Sequence, residues 1–173
     1  VIVGNKFSKI YGNGLNGFKY KKNLTINAEN SGTLGRLILG LLVNTINPIK
    51  LVGDRSLSKR DFKRVSDPLS KFGATIKLKS KKYLPLVIQG SDNLKPILYS
   101  EKKGSAQCKS SVIFAGLRTE GNTILKAKKS RNHTEIMCKH LGLPISVTDK
   151  KNYDLIKIKK AKKIKPLNYK IPS

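Results

Sequence analysis

One order of strand and helix signals occurs twice, at a nearly constant spacing, and this repeat most constrains the fold of the 173-residue chain. In the first unit, residues 24–27 read as a strand, and a helix begins near Ser31 with Leu37, Leu41 and Leu42 on its apolar face. A strand at 49–52, a helix over 59–72 and strands at 74–78 and 84–88 complete it. The second unit runs in the same order: strand 97–99, helix 105–117, strand 123–126, helix 133–141, and strands 145–148 and 155–158. Ser31 and Ser105 stand 74 residues apart, Arg60 and Arg131 71, and Gly73 and Gly142 69. Spacing this steady marks duplicated βαβαββ units, and the alternation predicts an α/β domain. Gly73 and Gly142 follow helix ends, where a left-handed residue closes a helix at little cost. Pro68, inside the second helical pattern, predicts a kink or a late first turn.

A chain of this length, 38% hydrophobic, supports one core of ordinary size and is too short for two large domains. Its net charge of +26 brings nucleic acid, anionic membranes and anionic small molecules into view. The excess is lysine, 30 against 6 arginines, spread through strands and loops as at Lys77, Lys79, Lys157 and Lys159. With only 6% aromatic residues there are few platforms for unpaired bases, so the reading excludes nucleic acid as a partner. It excludes a membrane as well, since the longest apolar run, 37–43, falls far short of the roughly 18 residues a span requires. Cys108 and Cys138 fall in predicted helices without metal or disulfide spacing, which fits a reducing cytoplasm. His133 and His140 complete no ligand set either, so no metal or cofactor is expected.

Four stretches carry candidate chemistry. Asn30-Ser31-Gly32-Thr33, with Arg36 one turn on, is either a plain helix cap or an anion site in which Gly32 admits a ligand close to the backbone. Gly53-Asp54-Arg55-Ser56-Leu57-Ser58-Lys59-Arg60, between a strand and a helix, is either a basic surface loop or a ligand loop of the kind open α/β units place there, with Arg60 able to hold a carboxylate or phosphate. Ser105-Ala106-Gln107 opens an apolar helix and is either a plain cap or a phosphate site, with a hydroxyl, free backbone N–H groups and an amide that both donates and accepts. Ser130-Arg131, ahead of His133-Thr134-Glu135, is either a cap region or a further anion site.

Taken together and in this order, these residues resemble the 5-enolpyruvylshikimate-3-phosphate synthase family along the whole chain. Asp67-Pro68-Leu69, Phe72-Gly73-Ala74, Leu84-Pro85-Leu86, Lys109-Ser110 and Ala115-Gly116-Leu117 belong to the same pattern. The resemblance implies two similar domains of three βαβαββ units each, with the active site in the cleft between them. It makes residues 1–171 a partial domain, with units at about 1–90 and 91–165, and 172–173 the start of a crossing to a second domain. It assigns Gly32, Arg60 and Gln107 to phosphoenolpyruvate, and Ser105, Ala106, Gln107, Ser130 and Arg131 to shikimate 3-phosphate, with His133 beside the same ligand. The implied reaction is attack of the shikimate 5-hydroxyl on C2 of phosphoenolpyruvate, followed by expulsion of phosphate from the tetrahedral adduct. The complete enzyme would be a monomer.

Glu29 and Asp61 depart from the family pattern, and a carboxylate at Asp61 is expected to compete for the Arg60 guanidinium. The rival in the same class, the UDP-N-acetylglucosamine enolpyruvyl transferase, does not use Ser-Ala-Gln or Ser-Arg-x-His-Thr-Glu. A basic nucleic-acid-binding module explains none of the four motifs. Val1 and Ser173 read as cut ends, with the carboxylates and lysine that would move protons lying beyond them. The resemblance thus implies substrate-binding residues without catalytic ones. The purified 173 residues are expected to give no turnover, and an assay detecting enolpyruvyl transfer by this chain alone would overturn that expectation.

Overall fold

Burial alternates along the longest strands. Leu84, Leu86 and Ile88 face inward while Pro85, Val87 and Gln89 face water, and Thr123, Leu125 and Ala127 do the same in the second unit. Period-two burial is what a sheet covered on one face requires. The computed structural model describes residues 22–164 continuously, with 2–3, 8–9, 11–12, 14–16, 18 and 20 ahead of them. The interdomain crossing expected at 172–173 lies outside the described residues.

A short antiparallel pair, β1 (Ile2–Val3) and β2 (Ser8–Lys9), precedes the repeat. The first unit comprises β3 (Thr25–Asn27), α1 (Gly32–Leu41), β4 (Ile49–Val52), α2 (Lys63–Lys71), β5 (Thr75–Lys79) and β6 (Tyr83–Gln89). The second comprises β7 (Leu98–Glu101), α3 (Ala106–Gly116), β8 (Asn122–Lys128), α4 (His133–His140), β9 (Ile145–Asp149) and β10 (Tyr153–Lys159). Each unit forms a four-stranded sheet of identical topology, β3-β4-β6-β5 and β7-β8-β10-β9, its first pair parallel and the other two antiparallel. The α/β class and the repeated βαβαββ order are those the periodicity predicts.

The lysines find their places in this alternation. Lys77, Lys79, Lys126, Lys128, Lys157 and Lys159 all occupy outward positions of strands, so the inward positions remain free for Leu86, Ile88, Leu125, Ile156 and Ile158. Registers pair like with like: Leu51 lies opposite Leu86, Ile49 opposite Ile88, and Leu125 opposite Ile156.

Helix α3 is the centre of the molecule. From Cys108 to Ile113 every residue is buried, including the polar Lys109, Ser110 and Ser111, because the helix is enclosed by α1, α2 and its own sheet. Its approach to α1 is at backbone distance. A Cβ on Gly40 would lie 2.2 Å from the Ser111 carbonyl oxygen, and the Ser111 hydroxyl donates to the Arg36 carbonyl at 3.0 Å. On the other side, a Cβ on Gly116 would come within 3.1 Å of Ile158.

Most boundaries lie within one or two residues of the sequence expectation, and the start of α2 differs most. The helix expected over 59–72 divides into a 3-10 turn at Leu57–Lys59 and α2 from Lys63. Arg60 between them is extended (φ −83°, ψ 150°), and the Asp61 carboxylate accepts the Lys63 N–H at 2.9 Å, starting the helix afresh. Pro68 then lies in the second turn, where it has no N–H to offer the Arg64 carbonyl. Gly73 (φ +114°) and Gly142 (φ +67°) take left-handed conformations after α2 and α4, the role expected of them.

Gly40→Ala tests the closeness of α1 and α3. Its gain in helix propensity, on the order of 1 kcal/mol, is opposed by an overlap with main-chain atoms that no rotamer relieves. We expect a net loss of about 1–3 kcal/mol in urea unfolding. An unchanged midpoint would mean that the two helices separate freely.

Candidate functional site

The close packing of α1 and α3 sets their N-termini side by side, and each is built the same way. Ser31 and Ser105 are both extended N-caps, accepting from the Leu34 N–H at 3.1 Å and the Cys108 N–H at 3.3 Å. The chain entering each helix is turned by a side chain four residues before the cap. Asn27 accepts the Glu29 N–H and donates to the Glu29 carboxylate at 2.6 Å. In the second unit the buried Glu101 carboxylate accepts from the N–H groups of Lys103, Gly104 and Ser105. The first amides of α3, those of Ala106 and Gln107, have no intrahelical acceptor and are available to an anion.

Between the two helix starts lies a cationic cluster. The Arg36 guanidinium is 5.1 Å from the centroid of Phe62, which is fully buried, and donates to Gln107 Oε1 at 2.8 Å and the Asp61 carbonyl at 3.4 Å. Gln107 Nε2 donates in turn to Thr33 Oγ1 at 2.9 Å, so this one amide is fixed by residues of the other unit at both its ends. Arg60 is exposed and donates to Asn30 Oδ1 at 3.2 Å. Both guanidiniums converge on Gly32, where an added Cβ would stand 2.8 Å from Arg36 Nη1 and 3.2 Å from Arg60 Nη1. Burial lowers the Arg36 pKa from its ordinary value, and the nearby Arg60 and Arg64 push it further down, against Cys108 and Asp61. An anion at Gly32 would relieve that repulsion.

Gly32 and Arg60 therefore meet, and Gln107 is tied to the same cluster through Arg36 and Thr33, while Ser105 and Ala106 stand at the head of α3. Ser130 and Arg131 lie on the loop between β8 and α4. A Cβ on Gly104 would be 3.3 Å from the Lys129 carbonyl oxygen, so this loop runs beside the entry to α3. The Ser130 hydroxyl is buried with no hydrogen-bond partner among the described residues, while Arg131 is exposed. His133 opens α4 and is exposed. Lys129 is drawn away by Asp149 and Asp154, and the hydrogen bond to Asp149 raises its pKa.

The competition expected of Asp61 is not what its geometry provides: its carboxylate faces the Lys63 N–H and lies 3.9 Å from Lys82 Nζ, while Arg60 turns to Asn30. Asp54 likewise builds its loop, accepting the Leu57 N–H at 2.7 Å, and so sets the direction from which Arg60 leaves the turn. Burial pushes the Cys108 thiol above its ordinary pKa, and it pushes that of Cys138 to about 11, with the Glu135 charge adding to the second. Both thiols are free and buried. Among the described residues, no group of three His, Cys, Asp or Glu side chains could hold a metal ion, and no helix is long and apolar enough to cross a membrane.

Sequence reasoning placed Arg36 near this site without its partners. The bonds Arg36–Gln107 and Gln107–Thr33 join residues 71 and 74 positions apart, and the repeat period of about that length is the signal that could have paired them. Phe62 and Glu101 gave no such signal.

A duplicated βαβαββ architecture that sets two helix N-termini side by side with two converging arginines defines an α/β protein with a cationic cluster between its units. Residues 3–173 match the family model described as EPSP synthase (3-phosphoshikimate 1-carboxyvinyltransferase), and the chain belongs to that family. It is 43% identical over 150 residues to the 3-phosphoshikimate 1-carboxyvinyltransferase of Caldicellulosiruptor bescii, covering 86% of this chain and 34% of the relative. With the enzyme of the same name from Streptococcus agalactiae it shares 44% over 143 residues, 82% of this chain and 33% of the other. A solved structure of EPSP synthase from Acinetobacter baumannii superposes with a TM-score of 0.79 at 35% identity, over 89% of this chain and 34% of that one. The chain thus spans about a third of the length of the relatives it matches.

The cross-unit bond lends itself to a double-mutant cycle with Arg36→Met and Gln107→Leu. A half-buried, charge-assisted hydrogen bond is expected to give a coupling of about 1–2 kcal/mol in urea unfolding. Additive effects would mean that the two units hold their helix starts independently.

Proposed function

We propose that this chain is part of a 3-phosphoshikimate 1-carboxyvinyltransferase, which transfers the enolpyruvyl group of phosphoenolpyruvate to the 5-hydroxyl of shikimate 3-phosphate and releases phosphate. The observation that carries this reading is the convergence of Arg36 and Arg60 on Gly32, with Gln107 bonded to Arg36 and Thr33 next to the open amides of α3. Phosphoenolpyruvate is held at Gly32 by Arg60 and Gln107, and Arg36 adds its charge from beneath. Shikimate 3-phosphate lies over Ser105, Ala106 and Gln107, with its phosphate reached by the Ser130 hydroxyl and Arg131. Gln107 touches both substrates, and its amide already has a fixed direction when they arrive, so little ordering is left to do on binding.

Both substrates are multiply anionic and must be brought within bonding distance. Guanidiniums and backbone N–H groups on rigid helix starts offset their mutual repulsion, and this is the contribution the present residues make to catalysis. The units at about 1–90 and 91–165 form part of one domain of a monomeric protein of the reducing cytoplasm, and no cofactor enters the reaction.

The test is titration of shikimate 3-phosphate into the chain while following backbone amide resonances. Residues 105–107 and Ser130 should shift saturably, and Gln107→Ala should weaken binding at least tenfold, about 1.4 kcal/mol. Unmoved resonances at these four residues would refute the assignment.

A further inference from the structure

We propose that Lys109 and Glu135 are positioning residues that hold the Ser130–Arg131 loop against the head of α3. The proposal rests on the reading that residues 105–107 and Ser130 bind shikimate 3-phosphate. Lys109 lies one turn beyond the Ser105 cap, and Glu135 lies in the first turn of α4, which the Ser130–Arg131 loop enters. Their side chains are 0% and 4% exposed, and Nζ meets Oε1 at 2.6 Å. One residue after Lys109 and one before Glu135, the Ser110 and Thr134 hydroxyls bond to each other at 2.7 Å. The first turns of two successive helices are thus fastened together by two adjacent contacts, each joining α3 to α4.

Stability alone is a poor reason for such a pair. Taking two charges out of water costs much of what their attraction returns, and apolar side chains of similar volume generally serve a core as well. A buried ion pair can do something that apolar contact does not: with Lys109 Nζ and the Glu135 carboxylate making no hydrogen bond among the described residues, each charge has its counter-charge only where the two helices stand as they do, and this fixes register. Register is what the neighbouring loop needs. The Ser130 hydroxyl is buried and makes no hydrogen bond among the described residues, so nothing at its own oxygen holds it in place. Its position relative to Ser105 and Ala106 must come from the anchoring of the loop. On one side the Lys129 carbonyl passes close to Gly104, where an added Cβ would meet it, and on the other stands the Lys109–Glu135 pair.

The double variant K109M/E135M removes both charges and keeps the volume. We expect it to fold with a thermal midpoint near that of the parent chain, and to bind shikimate 3-phosphate at least tenfold more weakly. In the absence of ligand, backbone order parameters at Ser130 and Arg131 should fall from a rigid value of about 0.85 to below about 0.6, while those at residues 105–107 hold. Parental affinity together with parental order parameters would overturn the proposal. If the parent chain itself fails to bind shikimate 3-phosphate, the functional reading falls, and the ligand-free order parameters still decide whether the pair anchors the loop. If the double variant does not fold, Thr134→Val, which keeps shape and loses only the Ser110 bond, takes its place. It should lower the order parameters of the loop and weaken binding three- to fivefold, and no change in either would equally overturn the proposal.

Discussion

The contact of α1 with α3 at main-chain distance is the constraint on which the rest of the molecule depends. Gly40 leaves room for the Ser111 carbonyl, and the Ser111 hydroxyl caps the contact by bonding the Arg36 carbonyl. With the helices this close, their first turns lie within reach of one side chain each. Gln107 then spans from Arg36 to Thr33, and the two units share one site instead of presenting two. A side chain at position 40 would move the helices apart and open this span, although it would touch none of the residues in it.

The same closeness explains the electrostatics. Arg36 is half-buried between an aromatic ring and an amide, and neither carries a negative charge. The nearest carboxylates have other tasks: Asp61 starts α2, Asp54 closes its loop, and Glu101 turns the chain before Ser105. These three acids are engaged with backbone N–H groups and Glu29 with the Asn27 amide, so among the described residues none forms an ion pair with Arg36 or Arg60. Guanidiniums not neutralised from within favour an anion from outside, which is the basis of the proposed substrate site.

Much of this was legible in the residue order. Periodicity located the strands and helices because each sheet is solvated on one face, so the alternation of Leu84, Leu86 and Ile88 with outward residues survives in the sequence. The caps at Ser31 and Ser105 were legible because they are local. The start of α2 was not, since lysine and arginine suit both a helix and a turn, and only the extended Arg60 and the Asp61–Lys63 bond decide between them. The burial of Lys109 was equally hidden. A lysine beside Ser110 and Ser111 reads as a solvated position, until enclosure by neighbouring elements and the charge of Glu135 place it in the interior. Pairings that cross from one helix to another are set by tertiary geometry, and a single sequence holds no direct record of them.

The outward lysines of the two sheets have an effect beyond keeping apolar residues inside. Because so many positive charges surround a molecule of this size, its field extends into the solvent over about one Debye length, some 8 Å at physiological salt. Small polyanions drifting within that distance are drawn toward the surface, and local enrichment of this kind speeds encounter with any cationic cleft. A lysine that never contacts a ligand thereby contributes to how fast one arrives, and it does so less as ionic strength rises.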